Sequence, residues 1–209
     1  MRTLAIETAS EACSVALFEG GDLIAHDHRQ LGRGHAEALV PMIAALPDRG
    51  RAARLLVSLG PGSFTGVRIG LATARALGFA WGAEVLGYPT MALVAARAAT
   101  EHPGGAVTVC MNGGHGEWFV QDFLNGTPNG TARSLTPQAA LDGGAQVVIA
   151  GNRAAAFAAM FSRGSHRVVE LHPDARAVGL ISPALLSHDL APTYGRGADA
   201  TPMAERRPA

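Results

Sequence analysis

The sequence predicts an α/β protein of two duplicated halves, each a mixed sheet faced by helices. Three observations carry that expectation. Short apolar or alternating runs trade with helix-length periodic segments in the order βββαβα and then ββαβα. A polar stretch with one proline and two glycines, "EHPGG" at 101–105, separates the two series. The chain has 209 residues, 48% of them hydrophobic, enough for a full core. The expected divisions are 1–103, 104–190 and a tail at 191–209 broken by Pro and Gly.

The elements follow in order. Runs at 3–8, 14–20 and 23–30 read as a three-stranded meander, with Gly20-Gly21-Asp22 as the hairpin signal between the last two. Helical spacing covers 35–46, a strand covers 54–60, and a long helix spans 65–81. A strand at 84–88 and a helix at 90–100 complete the first half. In the second half, 106–112 and 117–126 read as strands, 136–142 as a short helix, 146–151 as a strand and 153–161 as a helix. A last helix is expected at about 174–188.

Composition removes several function classes. Seventeen basic residues balance seventeen acidic ones with no basic run, so no strong nucleic-acid footprint is visible. The opening "MRTLAIETAS" reads as a strand without a signal-peptide core, and no apolar run is long enough to span a bilayer; a cytoplasmic, membrane-free protein is expected. Cys13 and Cys110 sit in apolar strand-like settings and read as buried, reduced thiols. Every basic residue is arginine, and the chain has no lysine. A Walker A loop, which needs lysine on the phosphates, is therefore excluded, together with Schiff-base chemistry.

The loop "GPGSFTGVRIG" (60–70) nonetheless has the glycine density of a phosphate cradle. It lacks the nucleophile-elbow spacing, because Pro61 and Thr65 stand where glycines would flank Ser63. Ser63 reads as a helix cap. Beyond it, Gly66, Gly70, Ala74 and Gly78 recur every four residues, a stripe that asks for close approach of another backbone, since each helical glycine costs about 0.8–1 kcal/mol relative to alanine. The rest of this helix is apolar nearly all round, as is the helix at 35–46. One face of each can cover its own sheet, leaving an apolar patch for matching helices of a partner. The residues expected there are His35, Leu39, Met42 and Ile43 from the first helix, with Gly66, Val67, Gly70, Leu71, Ala74 and Gly78 from the second.

Three stretches carry a family resemblance: "LAIETASEACSVALFEGG" at the start, His35 with Pro41, and above all "GPGSFTGVRIGLATARAL". They resemble the TsaB family, formerly YeaZ, densely over residues 1 to about 100 and thinly afterwards. The resemblance implies the actin-like ATPase (ASKHA) fold. It also implies a non-catalytic subunit that supports the threonylcarbamoyl transferase TsaD in making threonylcarbamoyladenosine on tRNA. The implied partners are TsaD in a heterodimer, the small ATPase TsaE, a second copy of the chain when TsaD is absent, and tRNA only through the complex. No intrinsic activity, cofactor or catalytic metal is expected. The eight histidines include no H-x-x-x-H, and His26-x-His28 falls on an expected edge strand.

In relatives of this fold the turn after the first strand holds phosphate and magnesium. Glu7, Thr8 and Ser10 occupy that turn here, and Gly151 stands in the loop that would carry an adenosine. They read either as a vestige of a nucleotide site or, preferably, as ordinary turn residues. The alternative function is an ATP-dependent kinase or ATPase of the same superfamily; a glycoprotease, an old label for the family, has neither zinc spacing nor a nucleophile–base pair to support it. Two motifs depart from the family: Asn112-Gly113-Gly114-His115 where Asp-Ala-Arg is common, and Tyr194-Gly195-Arg196 where Tyr-Leu-Arg is usual.

Overall fold

The structure is a computed structural model describing residues 1–162 and 166–195. Arg196 and the rest of the expected tail lie outside the described residues.

The first sheet contains β1 (Arg2–Glu7), β2 (Ala12–Glu19), β3 (Asp22–Gln30), β4 (Arg54–Ser58) and β5 (Glu84–Tyr88), in the order β3-β2-β1-β4-β5. The second contains β6 (Ala106–Gly114), β7 (Glu117–Leu124), β8 (Thr127–Leu135), β9 (Val148–Ala150) and β10 (Arg167–Val169), in the order β10-β9-β6-β7-β8. Read from the meander side, the two orders are the same. In each sheet the first three strands are antiparallel, and the fourth and fifth are added in parallel. The duplication expected from the element pattern is therefore present strand for strand.

The helices of the first half are α1 (His35–Ala44), α2 (Phe64–Trp81) and α3 (Thr90–Glu101); those of the second are α4 (Pro137–Gly143) and α5 (Ala154–Ala158). Alternation along β1 explains the layering. Leu4 and Ile6 point to one face and pack with Leu39, Met42, Val67 and Leu71 of α1 and α2, whereas Ala5 points to the other and joins a core built on α3. That second core also takes Val107, Val109 and Phe119 from the second sheet, so α3 is a layer between the two sheets. A third cluster, with Cys110, Ile149 and Phe157, lies under α4 and α5. The helices α1 and α2 are thus an outermost layer. No helix among the described residues is long and apolar enough to cross a membrane.

Three elements differ from the sequence-based expectation. Strand β8 was not foreseen, because Pro128 and Gly130 interrupt it and its edge position leaves few buried side chains to create an alternating pattern. The signal was the Asn125-Gly126 pair, whose φ angles of 51° and 75° make the β7–β8 hairpin turn. Strand β10 has only three residues, too few for periodicity. The single helix expected at 174–188 is two 3₁₀ segments, Ala175–Leu180 and Pro183–Leu185. Pro183 disfavours the helical region for Ser182, which is extended at φ −62° and ψ 132°, and Ser182 restarts the chain by accepting from Ala184 N at 3.3 Å.

Candidate functional site

The glycine-rich loop is an intramolecular clamp. Ser63 N donates to Ala9 O at 2.7 Å, Thr90 N donates to Gly60 O at 2.9 Å, and Ser63 Oγ accepts from Gly66 N at 3.2 Å, so Ser63 is the expected cap. A Cβ on Gly62 would strike the Ala9 carbonyl, and one on Gly66 the Thr8 carbonyl. The glycines let this loop lie against the turn after β1.

The residues expected at an interface take part in the same packing. His35, Leu39, Met42, Ile43, Gly66, Val67, Gly70, Leu71, Ala74 and Gly78 are all buried within the chain. The stripe packs on the chain's own sheet and the turn after β1: a Cβ on Gly66 would strike the Thr8 carbonyl, one on Gly70 would lie 2.5 Å from Thr8 Oγ1, and one on Gly78 would strike the Val85 side chain. His35 donates from Nε2 toward Ser10 O at 2.9 Å and Ala12 O at 3.2 Å, fixing the start of α1 to the β1–β2 turn. Periodicity located the close contact and could not say which surface made it.

The opposite faces of α1 and α2 are open. Val40 is 55% exposed and Phe79 94% exposed, and Ala36 and Ala44 on α1 and Ala72, Ala76 and Ala80 on α2 are exposed as well. At the N-terminal end of α2, the Arg68 guanidinium lies 3.2 Å above the Phe64 ring, whose centroid is 5.7 Å from that of Tyr194. This outer surface, apolar in the middle and aromatic at one end, is the candidate partner face. It borders a cleft of about 920 Å³ between the halves, lined by Glu11, His35, Ser63, Asn112, His115 and Tyr194 among others.

The turn at the base of the cleft is satisfied internally. Thr8 Oγ1 donates to Gly66 O at 2.8 Å, Ala12 N donates to Ser10 Oγ at 3.1 Å, and Ala9 N donates to Glu7 Oε1 at 2.6 Å. Glu7 is fully buried, and burial pushes its carboxyl up to about 7 against the opposing pull of Ala9 N–H and the Ser58 and Tyr88 side chains. Gly151 has φ 118° and sits where a Cβ would strike Cys110 O, so its conformation and close packing alone require glycine. Burial also raises the Cys13 thiol to about 11 and the Cys110 thiol to about 12. His28 lies 3.1 Å from Asp174, and His26 is exposed on edge strand β3. Among the described residues, no group of three His, Cys, Asp or Glu side chains is placed to hold a metal ion.

The altered second-half motif also has a place. Asn112 Nδ2 donates to Glu11 Oε1 at 2.6 Å across the cleft wall. An aspartate there would oppose one carboxylate with another. Glu11 escaped the sequence reading because its partners lie 101 and 141 residues away, on Asn112 and Asn152.

The family model described as "TsaD: tRNA N6-adenosine threonylcarbamoyltransferase" matches residues 28–184. The tRNA threonylcarbamoyladenosine biosynthesis protein TsaB of Escherichia coli K12 is 37% identical over 130 residues, 59% of this chain and 55% of that protein. The TsaB of Haemophilus influenzae is 40% identical over 104 residues, 47% of this chain and 43% of that protein. The chain belongs to the TsaB (YeaZ) family. The solved YeaZ of Pseudomonas aeruginosa superposes with a TM-score of 0.70 at 28% identity, covering 86% of this chain and 89% of that one. The matched region spans about half the length of the curated relatives. The duplicated sheets have the actin-like ATPase architecture that the family resemblance implied.

Proposed function

We propose that this chain is a non-catalytic partner subunit in the formation of N6-threonylcarbamoyladenosine on tRNA, docking a TsaD-type transferase through the outer faces of α1 and α2. The observation that carries the reading is the open apolar surface around Val40 and Phe79 on an outermost helical layer. A surface helix would ordinarily be polar on that side; α2 instead shows Ala72, Ala76, Phe79 and Ala80 with only Thr65, Arg68 and Arg75 as exposed polar groups. Two such helices meeting two from a partner form a four-helix contact, and in isolation a second copy can cover the same surface. Contact with TsaE and tRNA follows from the assembly, since the zero net charge offers tRNA little independent hold.

The test is reconstitution. The chain and the TsaD protein of the same cell should co-elute in equal amounts, and threonylcarbamoyladenosine formation on tRNA in an extract of that cell should depend on the chain. Independent elution with full modification in its absence would refute the reading. ATP turnover by the isolated chain that survived repurification would favour the ATPase alternative instead.

A further inference from the structure

Where the two halves meet, one carboxylate is gripped entirely from the far side of the cleft. Glu11 lies on the turn between β1 and β2, its own carbonyl fixed by Leu31 N at 3.0 Å and Gly32 N at 2.9 Å. Its side chain crosses to the second half. Oε1 accepts from Asn112 Nδ2 at 2.6 Å, and Oε2 accepts from Asn152 Nδ2 at 2.9 Å. Both oxygens therefore have a donor, and the donors come from two segments, the end of β6 and the turn after β9.

The two asparagines are oriented by what their carbonyl oxygens do. Asn152 Oδ1 accepts from Asn112 N at 2.9 Å, and Asn112 Oδ1 faces Gly114 N at 3.4 Å. With each carbonyl end directed to a backbone N–H, each NH₂ end must face the carboxylate. His172 completes the ring: its Nδ1 is buried without a hydrogen-bond partner, 4.0 Å from Glu11 Oε2. The Glu11 side chain is itself 38% exposed, so the arrangement opens to water on the cleft side.

A set of neutral amide donors, fixed before the anion arrives and converging on both oxygens of one carboxylate, is the chemistry of an anion receptor. We propose that Asn112, Asn152 and His172 form a receptor for a small oxyanion, and that its resident occupant is the Glu11 carboxylate, which tethers the halves and keeps free carboxylate or phosphate out of this corner of the cleft. The inference is independent of the partner face, which lies on the outer side of α1 and α2. It gives Asn112 a definite role: an uncharged amide can both donate to Glu11 and accept from the backbone beside it, which an ionised carboxylate cannot.

Removing the occupant should expose the receptor. Glu11→Ala is expected to lower the melting temperature by about 3–8 °C, the loss of two charge-assisted hydrogen bonds discounted for partial exposure. Acetate at roughly 0.1 M should restore about 2–4 °C of that loss relative to chloride of equal ionic strength, with inorganic phosphate as a second probe. Neither anion should restore the Glu11→Ala protein that also carries Asn112→Ala and Asn152→Ala, and wild type, its receptor filled, should not distinguish acetate from chloride. If Glu11→Ala does not fold, Glu11→Gln is the second variant: shape is kept, charge is lost, and the side-chain amide resonances of Asn112 and Asn152 should move from their wild-type positions. An unchanged melting temperature in Glu11→Ala, an acetate effect as large in wild type, one that persists without the asparagines, or unmoved amide resonances in Glu11→Gln would each overturn the proposal.

Discussion

Replacing Gly70 by alanine separates the two surfaces that α2 presents. On propensity alone the change should help, by about 0.8–1 kcal/mol, because Gly70 is inside a helix. The added Cβ would lie 2.5 Å from Thr8 Oγ1, 3.4 Å from Val57 Cγ2 and 3.7 Å from Ile6 Cγ2. Only the first is too close. Thr8 cannot simply turn away, because its hydroxyl donates to Gly66 O at 2.8 Å in a turn with no exposure, and freeing it would strand buried polar groups at about 1–3 kcal/mol. Moving the helix outward instead incurs an overpacking cost of about 1–3 kcal/mol. With propensity offset, the expected loss is at most about 2 kcal/mol, or up to roughly 8 °C of melting temperature for a chain of this size. Circular-dichroism melting measures it, with co-elution with TsaD run in parallel below the melting range. A Gly70→Ala protein that melts like wild type but no longer finds its partner would refute the core placement and return the small-residue stripe to the interface.

The remaining expectations concern the outer face and two carboxylates. Phe79→Asp, at a residue 94% exposed, should leave the melting temperature within about 2 °C while weakening association about 10–100-fold or more, the worth of one buried aromatic; analytical ultracentrifugation or titration with TsaD would show an unchanged affinity if the face is wrong. Glu7, raised from 4.5 to about 7 by burial, binds its proton more tightly folded than unfolded, so its contribution to stability falls as pH rises between those values and is level above them. Glu7→Gln should therefore gain on wild type from pH 5 to pH 8, on the order of 3 kcal/mol if the whole shift is expressed; parallel melting curves across that range would contradict the assignment. Asn112→Asp would set a carboxylate against Glu11 Oε1, now 2.6 Å from the amide nitrogen, and its deficit relative to wild type should grow from pH 4 to pH 7 as the introduced acid ionises. A pH-independent deficit would mean that the two side chains no longer meet.

Local signals carried most of the fold. The Gly20-Gly21 hairpin, the alternation in the meander and the long period of α2 need only neighbours in sequence, and these elements were legible for that reason. Strand β8 was visible in principle through Asn125-Gly126 and was hidden by its weak burial pattern. The pair of 3₁₀ segments after residue 174 was obscured because apolar spacing there suggested a helix that Pro183 interrupts.

By itself, the sequence determined the duplicated α/β plan, the absence of lysine chemistry, the Ser63 cap and a stripe of small residues demanding a close neighbour. The tertiary structure decided which neighbour. The stripe faces Thr8, Val57 and Val85 of its own half, and the surface left open is the one carrying Val40 and Phe79. A helical period fixes the angle between faces but contains no reference to the sheet, so inside and outside become distinct only once α2 is packed. The Glu11 cluster has the same character: a carboxylate and two amides more than one hundred residues away are individually ordinary, and only the apposition of the two halves makes them one site.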